Sequence, residues 1–179
     1  MNGVVTFRPM READVPLLHE WIHRPHVAAW WGRGDTHDSV EDTKQKYLPR
    51  LEDRSAAEGY IALVSGETIG FIQSYVAIEC GDGWWEDEAD PGVRGIDQFL
   101  SEGDKLGQGL GSRMVEAFVR KLFADPAVTR VQADPDPANA RAIRCYEKAG
   151  FRRVGNIATP DGPALLMVAE RVAIEGPPG

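Results

Sequence analysis

The stretch that decides the fold is Ile96-Asp97-Gln98-Phe99-Leu100, then the loop Leu106-Gly107-Gln108-Gly109-Leu110-Gly111-Ser112, then an apolar-periodic run to Ala124. It reads as strand, glycine-rich loop and helix. Three glycines within five positions ahead of a helix leave backbone N–H groups open to an anion. The helix N-terminus adds roughly half a positive charge. Such a loop suits a phosphate-bearing ligand. By itself it fits a tight turn equally well, so the rest of the chain has to decide.

At 179 residues the chain is sized for one domain with a real core. Apolar content of 42% and charged content of 27% are globular values. No apolar run approaches a membrane span, and Met1-Asn2-Gly3-Val4 lacks a basic, apolar leader pattern. Cys80 and Cys145 stand far apart and make no disulfide framework, so the cytoplasm is the expected location. Residues 1–172 are expected to form the single domain, and 173–179, ending Gly176-Pro177-Pro178-Gly179, a loose tail. No metal site is expected.

The formal net charge of -8 argues against nucleic acid or an anionic membrane as partner. The acid is concentrated. Glu79, Asp82, Glu86, Asp87, Glu88, Asp90, Asp97, Glu102 and Asp104 are met only by Arg94. A solvated acidic loop accounts for most such runs. This one also carries Trp84-Trp85, costly to expose, which suggests a surface for something cationic and ring-shaped. Glu86, Asp87 and Glu88 are read as field and solubility, not contacts.

In order, the chain predicts a strand over Val4–Phe7. Next comes a helix capped by Asp14, carrying Val15, Leu18, Trp21 and Ile22, and stopped by Pro25. Ser39-Val40-Glu41-Asp42 resembles a capping box and starts a second helix towards Arg54. Tyr60–Val64 and Thr68–Ala77 form a hairpin about Ser65-Gly66-Glu67. After the glycine loop, Met114, Val115, Phe118, Leu122 and Phe123 make a helical stripe stopped by Asp125-Pro126. A strand over Val128–Ala133, a helix over Asn139–Ala149 closed by Gly150, and a hairpin of Phe151–Val154 with Leu165–Val168 complete the chain. This order implies a mixed α/β sheet with helices on its faces. A cleft should open where the strand ending near Leu100 diverges from the one ending near Asp134, with the glycine loop at its mouth.

His19-Glu20-Trp21-Ile22-His23 matches H-E-x-x-H, the zinc-protease pattern. Pro25 ends that helix at once, no third ligand follows at helical spacing, and Trp21 and Ile22 belong to the apolar stripe. Ordinary histidines are the better reading. Cys145 lacks an adjacent basic partner that would make it a nucleophile.

Downstream of the glycine loop stands Asn139-Ala140-Arg141-Ala142-Ile143-Arg144-Cys145-Tyr146-Glu147-Lys148-Ala149-Gly150-Phe151. Together with Leu106-Gly107-Gln108-Gly109-Leu110-Gly111 it resembles the GCN5-related N-acetyltransferase (GNAT) superfamily. Leu106 departs from the usual Gln or Arg, which affects one side-chain contact but not a cradle made of backbone amides. Trp30-Trp31-Gly32, Tyr47-Leu48-Pro49, Gln73-Ser74-Tyr75-Val76, Gly81–Trp85, Asp90–Leu100 and Thr159-Pro160-Asp161-Gly162-Pro163 extend the match. From about Val4 to Val172 the chain is similar to the aminoglycoside 6'-N-acetyltransferases of antibiotic-resistance elements.

That resemblance implies the GNAT fold: a mixed, mostly antiparallel sheet, helices on both faces, and a V-shaped split between the fourth and fifth strands. It implies acetyl-CoA as donor and a multi-amine aminoglycoside as acceptor, with direct transfer in a ternary complex. Asp97 matches the carboxylate that takes a proton from the amine directly, takes it through water, or only orients the amine; all three remain compatible with the residues. Tyr146 matches the general acid that protonates the departing thiolate. Gln108, Gly109, Leu110, Gly111 and Ser112 would hold the pyrophosphate, Asn139 would add a polar contact, and the backbone near Phe99 would meet the oxyanion. Trp31, Trp84 and Trp85 would cover sugar rings, and Asp82, Asp97, Asp134 and Asp161 would bind ammonium groups. Asp136 reads as a helix cap as readily as a contact. A monomer or homodimer is expected.

Two other functions fit parts of the pattern. One is a related acetyltransferase for a siderophore hydroxylysine or a polyamine. The other is a non-catalytic module that binds acetyl-CoA or sequesters an aminoglycoside. The acidic loop favours a polycation, and the presence of both Asp97 and Tyr146 favours catalysis.

Overall fold

The computed structural model describes residues 3–32, 39–52 and 57–171. The expected tail at 173–179, and residue 172 of the expected domain, lie outside these residues. Twelve regular elements follow one another: β1 (Val5–Pro9), α1 (Val15–Ile22), α2 (Pro25–Ala28), α3 (Val40–Glu52), β2 (Ala57–Val64), β3 (Glu67–Val76), β4 (Val93–Leu100), α4 (Leu110–Phe123), β5 (Arg130–Ala133), α5 (Ala140–Lys148), β6 (Arg152–Thr159) and β7 (Gly162–Glu170). The strands form one sheet in the order β1-β2-β3-β4-β5-β7-β6.

Every neighbouring pair is antiparallel except β4 and β5, which run parallel. Their ladder holds only Val93↔Arg130, Arg94↔Val131 and Gly95↔Gln132. β4 then continues to Leu100 while β5 ends at Ala133. Beyond Gly95 the two strands part, and the backbone groups of β4 on that side are left to whatever fills the split. This is the expected V-shaped opening between the fourth and fifth strands.

Side chains alternate along the strands, so each strand feeds two cores. On one face Ile72, Ile96, Val131 and Met167 pack with Val115, Phe118 and Val119 of α4 and with Ile143 and Tyr146 of α5. On the other, Ile61, Phe71 and Phe99 pack with Leu18, Trp21 and Ile22 of α1 and Tyr47 of α3. Helices therefore cover both faces, and the split opens between the two cores.

Several local readings hold and others shift. Ser39 and Asp42 form the capping box: Asp42 N donates to Ser39 Oγ at 3.1 Å, and Ser39 N to Asp42 Oδ2 at 3.0 Å. Asp14 stands at the N-cap of α1, but its carboxylate does not cap that helix. It takes both Arg8 guanidinium nitrogens, at 2.6 and 2.7 Å, and Arg11 N at 2.8 Å. Arg8 holds the Asp14 carboxyl below its usual range. Pro25 ends α1 and also opens α2, because a fixed φ suits a first helical position. The first strand starts at Val5, leaving Val4 exposed; the helix begun at Ser39 is described to Glu52, and its expected end near Arg54 lies outside the described residues. The last hairpin is much longer than the apolar residues suggest, because β6 is an edge strand with little apolar pattern.

The histidine pair makes local bonds: His19 Nδ1 lies 2.8 Å from Thr43 Oγ1, and His23 Nδ1 lies 2.7 Å from the His19 carbonyl. Among the described residues no group of three His, Cys, Asp or Glu could hold a metal ion.

Candidate active site

Two cavities flank the end of β4. The first, about 330 Å³, lies over the glycine loop and the start of α5. Gly107, Gly109, Gly111, Ser112, Phe99 and Asn139 line it. Gly109 is the N-cap of α4 with φ of 79°, a left-handed value that glycine adopts without strain, and space for a side chain there stays open. Gly109, Gly111 and Ser112 thus bring the N-terminal turn of α4, with its unpaired amides, to the cavity, as an anion cradle requires.

The remaining expected contacts in this loop divide. Gln108 turns its side chain away, donating from Nε2 to the Asp104 carbonyl at 2.7 Å. Leu110 buries its side chain against Val64, Ile69 and Met114. Both can serve only through backbone. Asn139 caps α5, accepting from Ala142 N at 3.1 Å, while also lining the cavity. Arg141, Arg144 and Lys148 line the same cavity from one side of α5 and give it cations to match phosphate. Their i, i+3, i+7 spacing was visible in the chain as a basic helical stripe. Cys145 lines it too, with burial pushing its thiol up.

The second cavity, about 570 Å³, lies on the α1–α3 side of the split. Trp31, Asp82, Trp84, Trp85, Asp97, Asp134 and Asp161 all line it, so the structure brings the expected acceptor residues together from five separate segments. Glu79 and Asp136 add two further carboxylates, against Lys46 as the lining cation among the described residues. Asp136 is also a cap, its Oδ1 accepting from Ala138 N at 2.8 Å. Tyr47, Gln73 and Tyr75 were not foreseen as site residues. Their positions in β3 and α3 are ordinary strand and helix positions until the strands are paired.

Trp30 and Trp31 line both cavities and form the wall where they meet. Trp31 is fixed by an indole bond to the Tyr47 hydroxyl at 2.9 Å and by edge contact with Phe99 at 4.8 Å between ring centres. Trp84 and Trp85 sit 6.2 Å apart at 45°. Their loop is strained: Asp82 and Trp85, neither a glycine, have φ of 52° and 55°.

Asp97 projects from β4 beside the split. Gln73, its partner across the β3–β4 ladder, donates from Nε2 to Asp97 Oδ2 at 2.8 Å. Asp134, just past β5, has a carboxyl pushed up to about 8, first by burial and then by the nearby Asp97 and Asp161 carboxylates. Tyr146 is buried at 5% exposure, packs against Phe151 at 5.2 Å, and borders neither cavity directly. Its hydroxyl engages the Gln98 side chain, which lines the first cavity, and burial with the Asp97 charge holds it well above the usual phenol range. A hydroxyl so held keeps its proton at neutral pH.

Known proteins match this architecture. Residues 10–159 match the acetyltransferase (GNAT) domain. The chain is 52% identical over 174 residues to an aminoglycoside N(6')-acetyltransferase type 1 of Klebsiella pneumoniae, covering 97% of this chain and 87% of that one. A kanamycin resistance protein of Rhizobium radiobacter is 62% identical over 92 residues, 51% of this chain and 85% of that one. Among solved structures, AAC(6')-Ib in complex with paromomycin and acetyl-CoA superposes with a TM-score of 0.92 at 51% identity, covering 98% of each chain. The same protein with coenzyme A and kanamycin gives 0.89 at 53% identity, covering 96% of this chain and 97% of that one. A split mixed sheet, a glycine cradle on one side of it, carboxylates on the other and matches of this length lead to one assignment: the chain belongs to the GNAT acetyltransferase family, on the branch of the aminoglycoside 6'-N-acetyltransferases.

Proposed function

We propose that this protein transfers an acetyl group from acetyl-CoA to the 6'-amino group of aminoglycoside antibiotics and so confers resistance to them. The observation that carries the reading is the meeting of two unlike cavities at Trp30 and Trp31. One offers helix amides and cations, the other carboxylates and aromatic faces. A siderophore hydroxylysine would leave most of those carboxylates without a partner, whereas a polyamine sugar would engage several.

Acetyl-CoA supplies the activated acetyl thioester. The amides at Gly109, Leu110, Gly111 and Ser112 hold its pyrophosphate, helped by Arg141, Arg144 and Lys148. Asp82, Asp134 and Asp161 hold the acceptor's ammonium groups, and Trp84 and Trp85 cover its rings. Asp97, fixed by Gln73, takes the proton from the reacting ammonium directly, through water, or orients the amine as it is lost to solvent. The freed amine nitrogen bonds to the acetyl carbon and gives up its second proton to solvent as the carbon–sulfur bond breaks. Backbone N–H of β4 near Phe99 meets the oxygen as its charge grows. Tyr146 gives its proton to the departing thiolate and regains one from solvent.

The protein acts in the cytoplasm as a monomer or homodimer; both cavities are lined by residues of one chain. No helix among the described residues is long and apolar enough to cross a membrane. A thiol-release assay with kanamycin and tobramycin tests the activity, and product NMR tests the position acetylated. No CoA release with any aminoglycoside would overturn the reading.

A further inference from the structure

We propose that Glu88 and Arg130, which line neither cavity, are positioning residues: their ion pair fixes the tryptophan loop against β5 and thereby sets affinity for the aminoglycoside. This rests on the acetyltransferase reading of the second cavity.

The loop between β3 and β4 carries Asp82, Trp84 and Trp85 into that cavity. It also contains the strain noted above, at Asp82 and Trp85. Conformations of that kind persist only where surrounding structure over-determines them. Glu88 supplies the determination. Its amide donates to the Trp85 carbonyl at 2.9 Å, closing the turn that holds the second tryptophan. One carboxylate oxygen accepts from the amides of Ala89 and Asp90, at 3.1 and 3.0 Å. The other takes the Arg130 guanidinium. The amide and both carboxylate oxygens of Glu88 are therefore engaged, and its side chain is only 15% exposed.

Arg130 is the first residue of β5, the strand that leads to Asp134. The pair thus connects the loop that supplies Asp82 and the tryptophans to the strand that supplies the opposing carboxylate. A second tether lies beside it: Asp90 accepts from the Thr129 hydroxyl and the Gly92 amide, both at 2.7 Å. Cost is also concentrated here. Arg130 Nε and Gln132 Nε2 are buried without a hydrogen bond among the described residues. Two orphaned donors two residues apart on β5 mark a place where packing is held against a penalty. The tied loop and Asp134 line the second cavity, whereas the glycine loop and the cations of α5 line the first, so the brace bears on the acceptor and not on the donor.

The test uses the full chain with Glu88→Gln, Arg130→Met and Arg130→Lys. Kinetics are measured with kanamycin and acetyl-CoA varied separately, and kanamycin binding is followed by tryptophan emission without turnover. The expected result is a rise of about tenfold in the kanamycin KM and Kd for Glu88→Gln and Arg130→Met, with the acetyl-CoA KM unchanged and kcat within about twofold. Arg130→Lys, which keeps a cation, should stay near the parent. The Glu88→Gln/Arg130→Met double variant should be no worse than either single change. Unchanged kanamycin binding in either single variant overturns the inference. So does a parallel rise in both KM values, or equal damage from Arg130→Lys and Arg130→Met. A parent that releases no CoA overturns the acetyltransferase reading instead, while the emission titration still reads the brace.

Discussion

Gln73 and Asp97 face each other across β3 and β4, and the Gln73 amide donates to the Asp97 carboxylate at 2.8 Å. The donor is an amide, so it can orient the carboxylate without lending it a positive charge. Gln73 is itself 7% exposed, which leaves it few alternatives. Gln73→Met keeps the volume and removes the bond. It should lower kcat about tenfold and stability by about 1 kcal/mol. Steady-state kinetics and a thermal melt check both; an unchanged kcat would show that Asp97 needs no such fixing.

Asp97→Ala and Tyr146→Phe remove the proposed proton acceptor and donor. Each should lower kcat by about 100-fold or more. Tyr146→Phe should melt close to the parent, because the ring contact with Phe151 survives and only the hydroxyl is lost. Near-parent turnover in both variants would refute the assigned roles. Loss only with Asp97→Ala would assign thiolate protonation to solvent.

Gly95 lies opposite Tyr75, and the tyrosine ring occupies the volume that a side chain at position 95 would need. Tyr75 lines the acceptor cavity, with Trp85 as the neighbour of its hydroxyl. Gly95→Ala should therefore displace the ring towards the cavity, costing about 1–3 kcal/mol in stability and raising the aminoglycoside KM. Adding Tyr75→Leu to Gly95→Ala should recover much of the melting temperature. Failure of the second change to recover it would place the strain elsewhere.

What the chain disclosed about itself follows from the range of each signal. The apolar and aromatic runs in β2 and β3 and the stripe in α4 are local patterns, and the elements appear where those patterns stand. β6 is an exposed edge with polar residues on it, so only its partner β7 announced the hairpin. Pro25 was readable as a stop, but a fixed φ serves a helix start as well. The acceptor carboxylates were legible one by one through motif matches, and the fold places them together. Glu88 read as a solvated charge because its partner Arg130 is 42 residues away, brought near only by the β4–β5 pairing. Tyr146 matched a motif that names its chemistry, yet its burial beside Phe151 depends on how α5 packs on the sheet.

Asp134 carries the last expectation, in pH dependence. Its carboxyl, pushed up to about 8, faces Asp97 from β4 and Asp161 from the β6–β7 turn, with Asp82, Asp136 and Glu79 elsewhere on the cavity wall and Lys46 as its cation among the described residues. The folded-state value lies above the unfolded one. Between roughly pH 4 and 8 the folded protein thus binds a proton that the unfolded chain releases, and stability falls as pH rises through that window. Asp134→Asn removes the group that must ionise. Its melting temperature relative to the parent should be higher at pH 8 than at pH 5. An aminoglycoside ammonium favours the ionised carboxylate, so binding near pH 7 should expel a proton from Asp134. Calorimetry in buffers of different ionisation enthalpy reads that release, and Asp134→Asn should reduce it while weakening binding. Equal proton release in parent and variant would assign the titrating group to another residue of the cavity.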